Sequence, residues 1–370
     1  MRGAGVGLVL TALVATTAAA QAPVVSIDPG SAQSTVVVSD LAVGGKDNPR
    51  YLTPPGNPAW DGVAQLWFRN SAGAVLSGCT GSLLVGGWDI LTAAHCVNSA
   101  SIASADVRFQ VAPGVWTTLT VSTKAQMKIR PGYTGGVIEA RDVAVLRLDA
   151  LADAWIPRYS LLNGNPMGQR LLEIGYGTTG NGTTGASDGN SFFTDAVTRR
   201  QGANRFEAYC NTGGSSCSTT VSGGVPIAQR GVLVSDFDSG ITNEGICKWF
   251  GFAPSAGTLP FGPVLCQNGY GLDEVGLGPG DSGGPAFVAG QIAGVASWIA
   301  RIDAGPTGGF GALNGHACVA RWATTLTAAV DDDCMANYKF VDAAMVPEPA
   351  TYFLVGTGLG LMGLIRRRRA

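Results

Sequence analysis

The sequence predicts an all-β protein in which short antiparallel strands close into barrels or pack as sandwiches, shared between two domains. Three observations carry this reading. Fifty-four glycines stand beside abundant Thr, Ser and Val, a composition that favours turn-rich β structure over helix. Short apolar runs recur at close spacing between Gly, Pro, Asn and Asp residues. The 370 residues, at about 150 per domain, point to two domains. A hydrophobic content of 46% supplies ample core and excludes wholesale disorder.

The chain opens with Arg2, an apolar run from Val6 to Leu13, and then Ala18-Ala19-Ala20-Gln21-Ala22. These are the n-region, h-region and small-residue cleavage site of a secretory signal peptide, which places residues 1–22 outside the mature fold. Eight cysteines, an even number, fit the oxidising compartment that such a signal leads to. The formal charge is −2, and the five arginines Arg2 and Arg366–Arg369 lie in terminal segments expected to be removed. Without them 19 basic residues face 26 acidic ones, a balance that disfavours nucleic acid as a partner.

Residues 23–60 form an extension rich in Pro, Gly, Ser and Asp, with one short strand candidate at Thr35–Val38. The first domain, 61–160, carries strands at Val63–Phe68, Ala74–Ser77, Gly81–Val85, Asp89–Thr92, Val107–Val111, Trp116–Ser122 and Val143–Leu148. Pro157 and Asn163-Gly164-Asn165-Pro166 mark a loop around 150–168, the boundary to a second domain at 161–340. Residues 180–190 are low-complexity Gly, Thr, Asn and Ser, read as a surface loop.

Three separated stretches carry chemistry. Gly280-Asp281-Ser282-Gly283-Gly284-Pro285 is too rich in glycine for helix or plain strand, and its sharp turn lifts one hydroxyl clear of the backbone. The same turn can aim the N–H groups of Gly280 and Ser282 at one small space where an oxyanion could sit. Alone, the hexapeptide is equally a surface turn. One of only two histidines lies in Leu91-Thr92-Ala93-Ala94-His95-Cys96, and Asp142 heads the alternating run Asp142–Leu148.

The order His95, Asp142, Ser282 resembles that of trypsin/chymotrypsin-type serine proteases. The resemblance implies two six-stranded antiparallel Greek-key barrels with a short C-terminal helix. It also implies a secreted endopeptidase that works through an acyl-enzyme, with peptide or protein substrates and no cofactor or metal. Ser282 would be the nucleophile, His95 the base, Asp142 the group orienting it, and the Gly280 and Ser282 N–H groups the oxyanion hole. Leu171–Tyr176 resembles the first strand of the second barrel, and Gln291–Trp298 the strand lining the primary pocket. Arg321–Val330, with Trp322, Leu326 and Val330 at helical spacing, matches the C-terminal helix. The interval from Asp142 to Ser282 exceeds the family's usual length, which implies an insertion at about 180–245.

By the same resemblance Cys79 and Cys96 form the disulfide that ties down the histidine loop, and Cys247 with Cys266 braces a loop beside the pocket. Cys210 and Cys217, and Cys318 and Cys334, fall as sequence neighbours, although six cysteines allow fifteen pairings. Gly278 stands where the family often carries Cys. Ala42-Val43-Gly44-Gly45 resembles the family's mature N-terminus, whose freed amine pairs with the acid before the nucleophile, here Asp281. No Lys or Arg precedes Ala42, and an ordinary Gly-Gly turn fits equally. The pocket would be lined by Gly276 at its floor, with Ser297, Trp298 and Ile299. An ungapped count gives an uncharged floor, whereas a gap of two or three brings Asp273 or Glu274 there and favours Lys or Arg.

Two features fall outside this scheme. Asp236-Phe237-Asp238-Ser239-Gly240 reads as a turn, with a cation held by Asp236 and Asp238 as a further option. His316, in a Gly-rich loop near Cys318, reads as incidental. The second function class is a catalytically silent protease-like binding or matrix protein, and an intact triad argues against it. An esterase is disfavoured because the Gly-Asp-Ser-Gly stretch at Ser282 lacks the strand–helix context of the Gly-x-Ser-x-Gly elbow.

The tail, Val346-Pro347-Glu348-Pro349, sixteen largely apolar residues Ala350–Ile365 and then Arg366–Arg369, resembles the PEP-CTERM sorting signal of Gram-negative bacteria over 346–370. Sixteen helical residues span about 24 Å, short of a bilayer core of about 30 Å. The resemblance implies transient membrane anchoring, a processing membrane enzyme as partner, and a cell-envelope or extracellular destination for a monomer.

Overall fold

The computed structural model describes residues 37–39, 45–53, 55–57, 59–136, 138–188, 198–210, 217–218, 231–239, 269–300, 309–322 and 333–345. The signal peptide, Ala42–Gly44, Cys247, Cys266, residues 323–330 and the sorting tail lie outside the described residues. Among the described residues no helix is long and apolar enough to cross a membrane.

The strands are numbered in chain order from β1 (Val37–Val38) in the extension. The first barrel contains β2 (Val63–Arg69), β3 (Val75–Leu83), β4 (Asp89–Thr92), β5 (Ser104–Ala112), β6 (Val115–Val121), β7 (Met127–Ile129) and β8 (Ala144–Arg147). They hydrogen-bond in the order β6-β5-β2-β3-β4-β8-β7. The two edge strands, β6 and β7, are separated in sequence only by residues 122–126, which include a 3-10 turn at Lys124–Gln126. They are therefore two halves of one interrupted strand, and the sheet curls round to six strands without an open edge. Thr123 and Gln126 fix the interruption through reciprocal side-chain and backbone hydrogen bonds. Leu66, Phe68, Leu83, Ile90, Val107, Phe109 and Leu146 fill the interior.

The second barrel repeats the device. Its strands are β9 (Arg170–Gly175), β12 (Arg200–Arg205), β13 (Ala208–Cys210), the two-residue β14 (Cys217–Ser218), β15 (Val232–Asp236), β17 (Pro285–Val288), β18 (Gln291–Ala300) and β19 (Leu313–Cys318). The order is β12-β9-β17-β18-β19-β15-β13-β14. β12 and β13 are joined by Phe206 and Glu207 alone, so one bent strand pairs with β9 at one end and with β15 at the other. Phe206 is buried at that bend and packs with Leu171, Leu233 and Ala293. A small third sheet sets β1 between β10 (Thr179–Asn181) and β16 (Val275–Gly276), with β11 (Gly185–Asp188) outermost.

Two sequence expectations change. Ala74–Ser77 and Gly81–Val85 are one strand, β3, and its glycine is a packing requirement. A Cβ on Gly81 would lie 2.7 Å from Ile90 Cγ2 and 2.9 Å from Leu66 Cδ1. The stretch read as an insertion at 180–245 is not a single block, because β12, β13 and β15 fall inside it and belong to the barrel. The helix expected over Arg321–Val330 lies, beyond Trp322, outside the described residues, and a helix, α2, spans Asp333–Met345. It is tied down by the Cys318–Cys334 disulfide and by Asn337 Nδ2, which donates to the carbonyls of Ala140 (2.7 Å) and Cys318 (2.9 Å), one from each half of the chain.

Candidate active site

His95 sits on α1, the single turn Ala94–Val97 that follows β4. The Cys79–Cys96 disulfide staples this turn to β3, as the family resemblance implied. Asp142 lies just before β8, which pairs with β4, so the sheet itself brings the two residues together. Asp142 Oδ1 accepts the backbone N–H of His95 at 2.8 Å, and Oδ2 lies 2.6 Å from His95 Nδ1. An ionised carboxylate can only accept, so the shared proton sits on Nδ1 and the lone pair on Nε2. The Asp142 side chain is 4% exposed and that of His95 36%, which leaves the imidazole open to the cleft and its partner sealed beneath it. Ser297 Oγ donates to Asp142 Oδ2 at 2.6 Å. Sequence reasoning assigned Ser297 to the pocket and missed this contact, because the two residues are 155 positions apart with no local signal joining them.

The Ser282 loop is clamped against β3. The Ser282 carbonyl accepts from Thr80 N–H at 2.9 Å, and Thr80 Oγ1 donates to the Gly280 carbonyl at 3.0 Å. Cys96 Sγ, next to His95, lies 3.8 Å from the Ser282 carbonyl oxygen. Ser282 Oγ and His95 Nε2 share no hydrogen bond among the described residues; such contacts commonly tighten only when substrate is bound. Gly283 has φ +83, and a Cβ there would lie 2.0 Å from Thr92 Oγ1, so the tight seat against β4 requires glycine. Gly280 has φ +100, and neither its N–H nor that of Ser282 has a hydrogen-bond acceptor among the described residues. Two unengaged donors beside one hydroxyl are what an oxyanion hole requires.

Asp281 braces the loop through backbone hydrogen bonds. Its buried carboxylate accepts N–H bonds from Gly177 (Oδ1, 2.8 Å) and Gly278 (Oδ2, 2.8 Å), while Ala42, whose freed amine the family resemblance would pair with it, lies outside the described residues. Burial pushes its pKa up from 3.8 to about 7, partly offset by the Gly278 and Gly177 hydrogen bonds.

The residues expected at the pocket lie on neighbouring strands. Gly276 is in β16, paired with Val37, and the following Leu277 N–H donates to Asn314 Oδ1 at 2.8 Å. Trp298 lies across Gly315, where a Cβ would come within 1.9 Å of the indole. Ile299 pairs with Asn314 and is half-buried. Neither acid weighed as a charged floor stands free for that role. Asp273 pairs with Arg50 at 3.2 Å, and Glu274 turns towards Asp236 and Asp238.

Of the remaining cysteines, Cys318 and Cys334 are bonded to each other. Cys210 is disulfide-bonded and faces Cys217 in the β13–β14 register. His316 lies in strand β19, not in the loop expected, and is buried with Nε2 3.2 Å from Glu173 Oε1 and its ring edge-on to Phe206.

Residues 58–236 match the trypsin family model, and residues 346–369 match the PEP-CTERM protein-sorting motif. The trypsin match takes in His95 and Asp142 and ends before Ser282. Solved structures similar to this chain include HL collagenase, 18% identical over 73% of this chain and 92% of that one, with a TM-score of 0.43. Another is neuropsin, a serine protease expressed in the limbic system of mouse brain, 16% identical over 79% and 98%, with a TM-score of 0.44. No curated protein matches the chain.

Proposed function

We propose, from the match of residues 58–236 to the trypsin family model, that the protein is a serine endopeptidase using Ser282, His95 and Asp142. The observation that carries this reading is the arrangement at His95: Nδ1 is held by a buried carboxylate, Nε2 meets only Cys96 Sγ, at 3.8 Å, among the described residues, and the Ser282 loop is clamped beside the same turn. Ser282 Oγ is a poor nucleophile until a base takes its proton, and a neutral imidazole can do so near neutral pH. Oγ then bonds to the substrate carbonyl carbon while the proton moves to His95 Nε2. Asp142 remains ionised and offsets the imidazolium charge. The N–H groups of Gly280 and Ser282 receive the oxyanion, each worth about 2.7–4 kcal/mol of transition-state stabilisation. His95 returns the proton to the leaving amine, and water repeats the sequence to release the acyl group.

On specificity, an ungapped count that puts Gly276 at the pocket floor, with the half-buried Ile299 beside it, favours small or apolar side chains over Lys or Arg. Export through a signal peptide at 1–22 and processing at the 346–369 motif complete the proposal, with the mature protein delivered to the cell envelope or beyond.

The test is hydrolysis of an unfolded protein substrate, with the cleavage sites read by mass spectrometry. The full chain should cut after small or apolar residues and Ser282→Ala should not. Cleavage that persists in Ser282→Ala would refute the assignment, and cleavage after Lys or Arg would refute the pocket reading alone.

A further inference from the structure

The extension that precedes the first barrel is built into the second. β1 is paired on both edges: antiparallel to β16, with Val37 opposite Gly276 and Val38 opposite Val275, and parallel to β10. Val37, Val38 and Ser39 are fully buried, and the Val38 carbonyl accepts the Gly182 N–H at 2.9 Å. Val38 packs with Tyr51, Val275 and Leu272 in a small core of its own.

A second group of contacts lies further along the extension. The buried Tyr51, at the end of a 3-10 turn over Pro49–Tyr51, donates its hydroxyl to the Leu272 carbonyl at 2.7 Å. Arg50 pairs with Asp273 at 3.2 Å, and Asp47 with Arg200 at 3.2 Å. Thr53 Oγ1 donates to the Arg199 carbonyl at 2.9 Å. Two anchors therefore flank Ala42 in the sequence, Val37–Ser39 before it and Asp47–Thr53 after it. Both reach residues 272–276, which run straight into the Gly278–Gly284 loop.

A cut before Ala42 would detach β1 and leave one edge of β16 held by a loose peptide. Whether a segment can be removed depends on the burial and hydrogen bonding of its backbone, and β1 is buried and paired on both edges. In the uncut chain Asp281 already receives one N–H on each carboxylate oxygen, from Gly177 and Gly278. The Ser282 loop is thus braced without a cut at Ala42.

We infer that the active enzyme keeps residues 37–53 joined through Ala42, and that β1 and Tyr51 position β16 and the Ser282 loop. The inference rests on the serine-protease reading, because it states which form of the chain acts. Val38 and Tyr51 are positioning residues that work through the backbone of residues 272–276. Loosening that strand disturbs the proposed pocket floor at Gly276, so the effect falls on substrate binding.

The test labels the purified full chain with a fluorophosphonate and reads the N-terminus of each labelled molecule by mass spectrometry. The expected adduct sits on Ser282 in molecules that begin before Val37 and continue unbroken through Ala42. Deleting residues 23–41, which leaves Ala42 first after the signal peptide, should slow labelling at least tenfold. Tyr51→Phe removes only the hydroxyl bonded to Leu272, so it should stay folded while KM for a peptide ester rises about two- to tenfold and kcat holds. Adducts confined to molecules that begin at Ala42, or a deletion variant that labels as fast as the full chain, would overturn the inference while upholding Ser282. An unchanged KM in Tyr51→Phe would overturn the positioning role, leaving an extension that only stabilises. No adduct in either the full chain or the deletion variant would refute the protease reading, and this inference with it.

Discussion

Ser297 and Asp142, 155 residues apart, meet through a 2.6 Å hydrogen bond in which the serine hydroxyl donates to Oδ2, the oxygen that also faces His95 Nδ1. Asp142 thus receives three donors, His95 N–H, His95 Nδ1–H and Ser297 O–H, and its orientation is fixed on both oxygens. The second barrel, which supplies Ser282, also locks the acid supplied by the first.

Ser297→Ala removes one hydrogen bond to a buried charge, a contact worth about 1.5–3 kcal/mol. The expected result is a fall in kcat of roughly ten- to a hundredfold with KM little changed, because Ser297 acts through Asp142 and His95. Steady-state kinetics on a peptide ester checks it. A change confined to KM would show that Ser297 serves the pocket instead.

Asp142→Asn keeps the shape but can donate to Nδ1, which moves the proton on His95 to Nε2, where it blocks the base. A loss in kcat of about 10⁴-fold is expected, the factor associated with that change in a Ser-His-Asp triad. Thermal melts should show the variant folded.

The motifs around His95, Asp142 and Ser282 were legible because each carries its chemistry in a few adjacent residues. Contacts made by topology were not. Ser297 reads as one more small residue in an alternating strand until the barrels are docked. The strand breaks at Lys124–Gln126 and at Phe206–Glu207, which close the two barrels, have no Gly or Pro to announce them. Asp236 and Asp238 were visible as a pair, but Glu274 reaches them only through the fold.

Asp281 gives a prediction about pH. An acid raised from 3.8 to about 7 binds more protons folded than unfolded across that window, so its contribution to stability falls as pH rises from about 4 to 7 and levels off above. Asp281→Asn turns an NH2 donor against one of the two N–H groups the carboxylate accepts, which costs stability at every pH, but the wild type's fall of up to about 4 kcal/mol between pH 4 and 8 should vanish in the variant. Melting curves at several pH values measure this. A variant that loses as much stability over this range as the wild type would show that Asp281 does not carry the pH dependence.

Gly283→Ala places a Cβ 2.0 Å from Thr92 Oγ1 and 2.3 Å from the Thr80 carbonyl oxygen, at a φ of +83 that disfavours any side chain. The loop must shift, at a cost of at least about 2 kcal/mol, and Ser282 shifts with it. Both Tm and kcat should fall. A variant with wild-type values of both would contradict the tight seating of this loop.

The most direct measurement is covalent labelling of the full chain with a fluorophosphonate, with the modified residue located by mass spectrometry. One adduct on Ser282, absent from Ser282→Ala and strongly slowed in His95→Ala, is the predicted result. An unlabelled wild-type chain, or an adduct elsewhere that survives Ser282→Ala, would contradict the assignment of Ser282 as a nucleophile activated by His95.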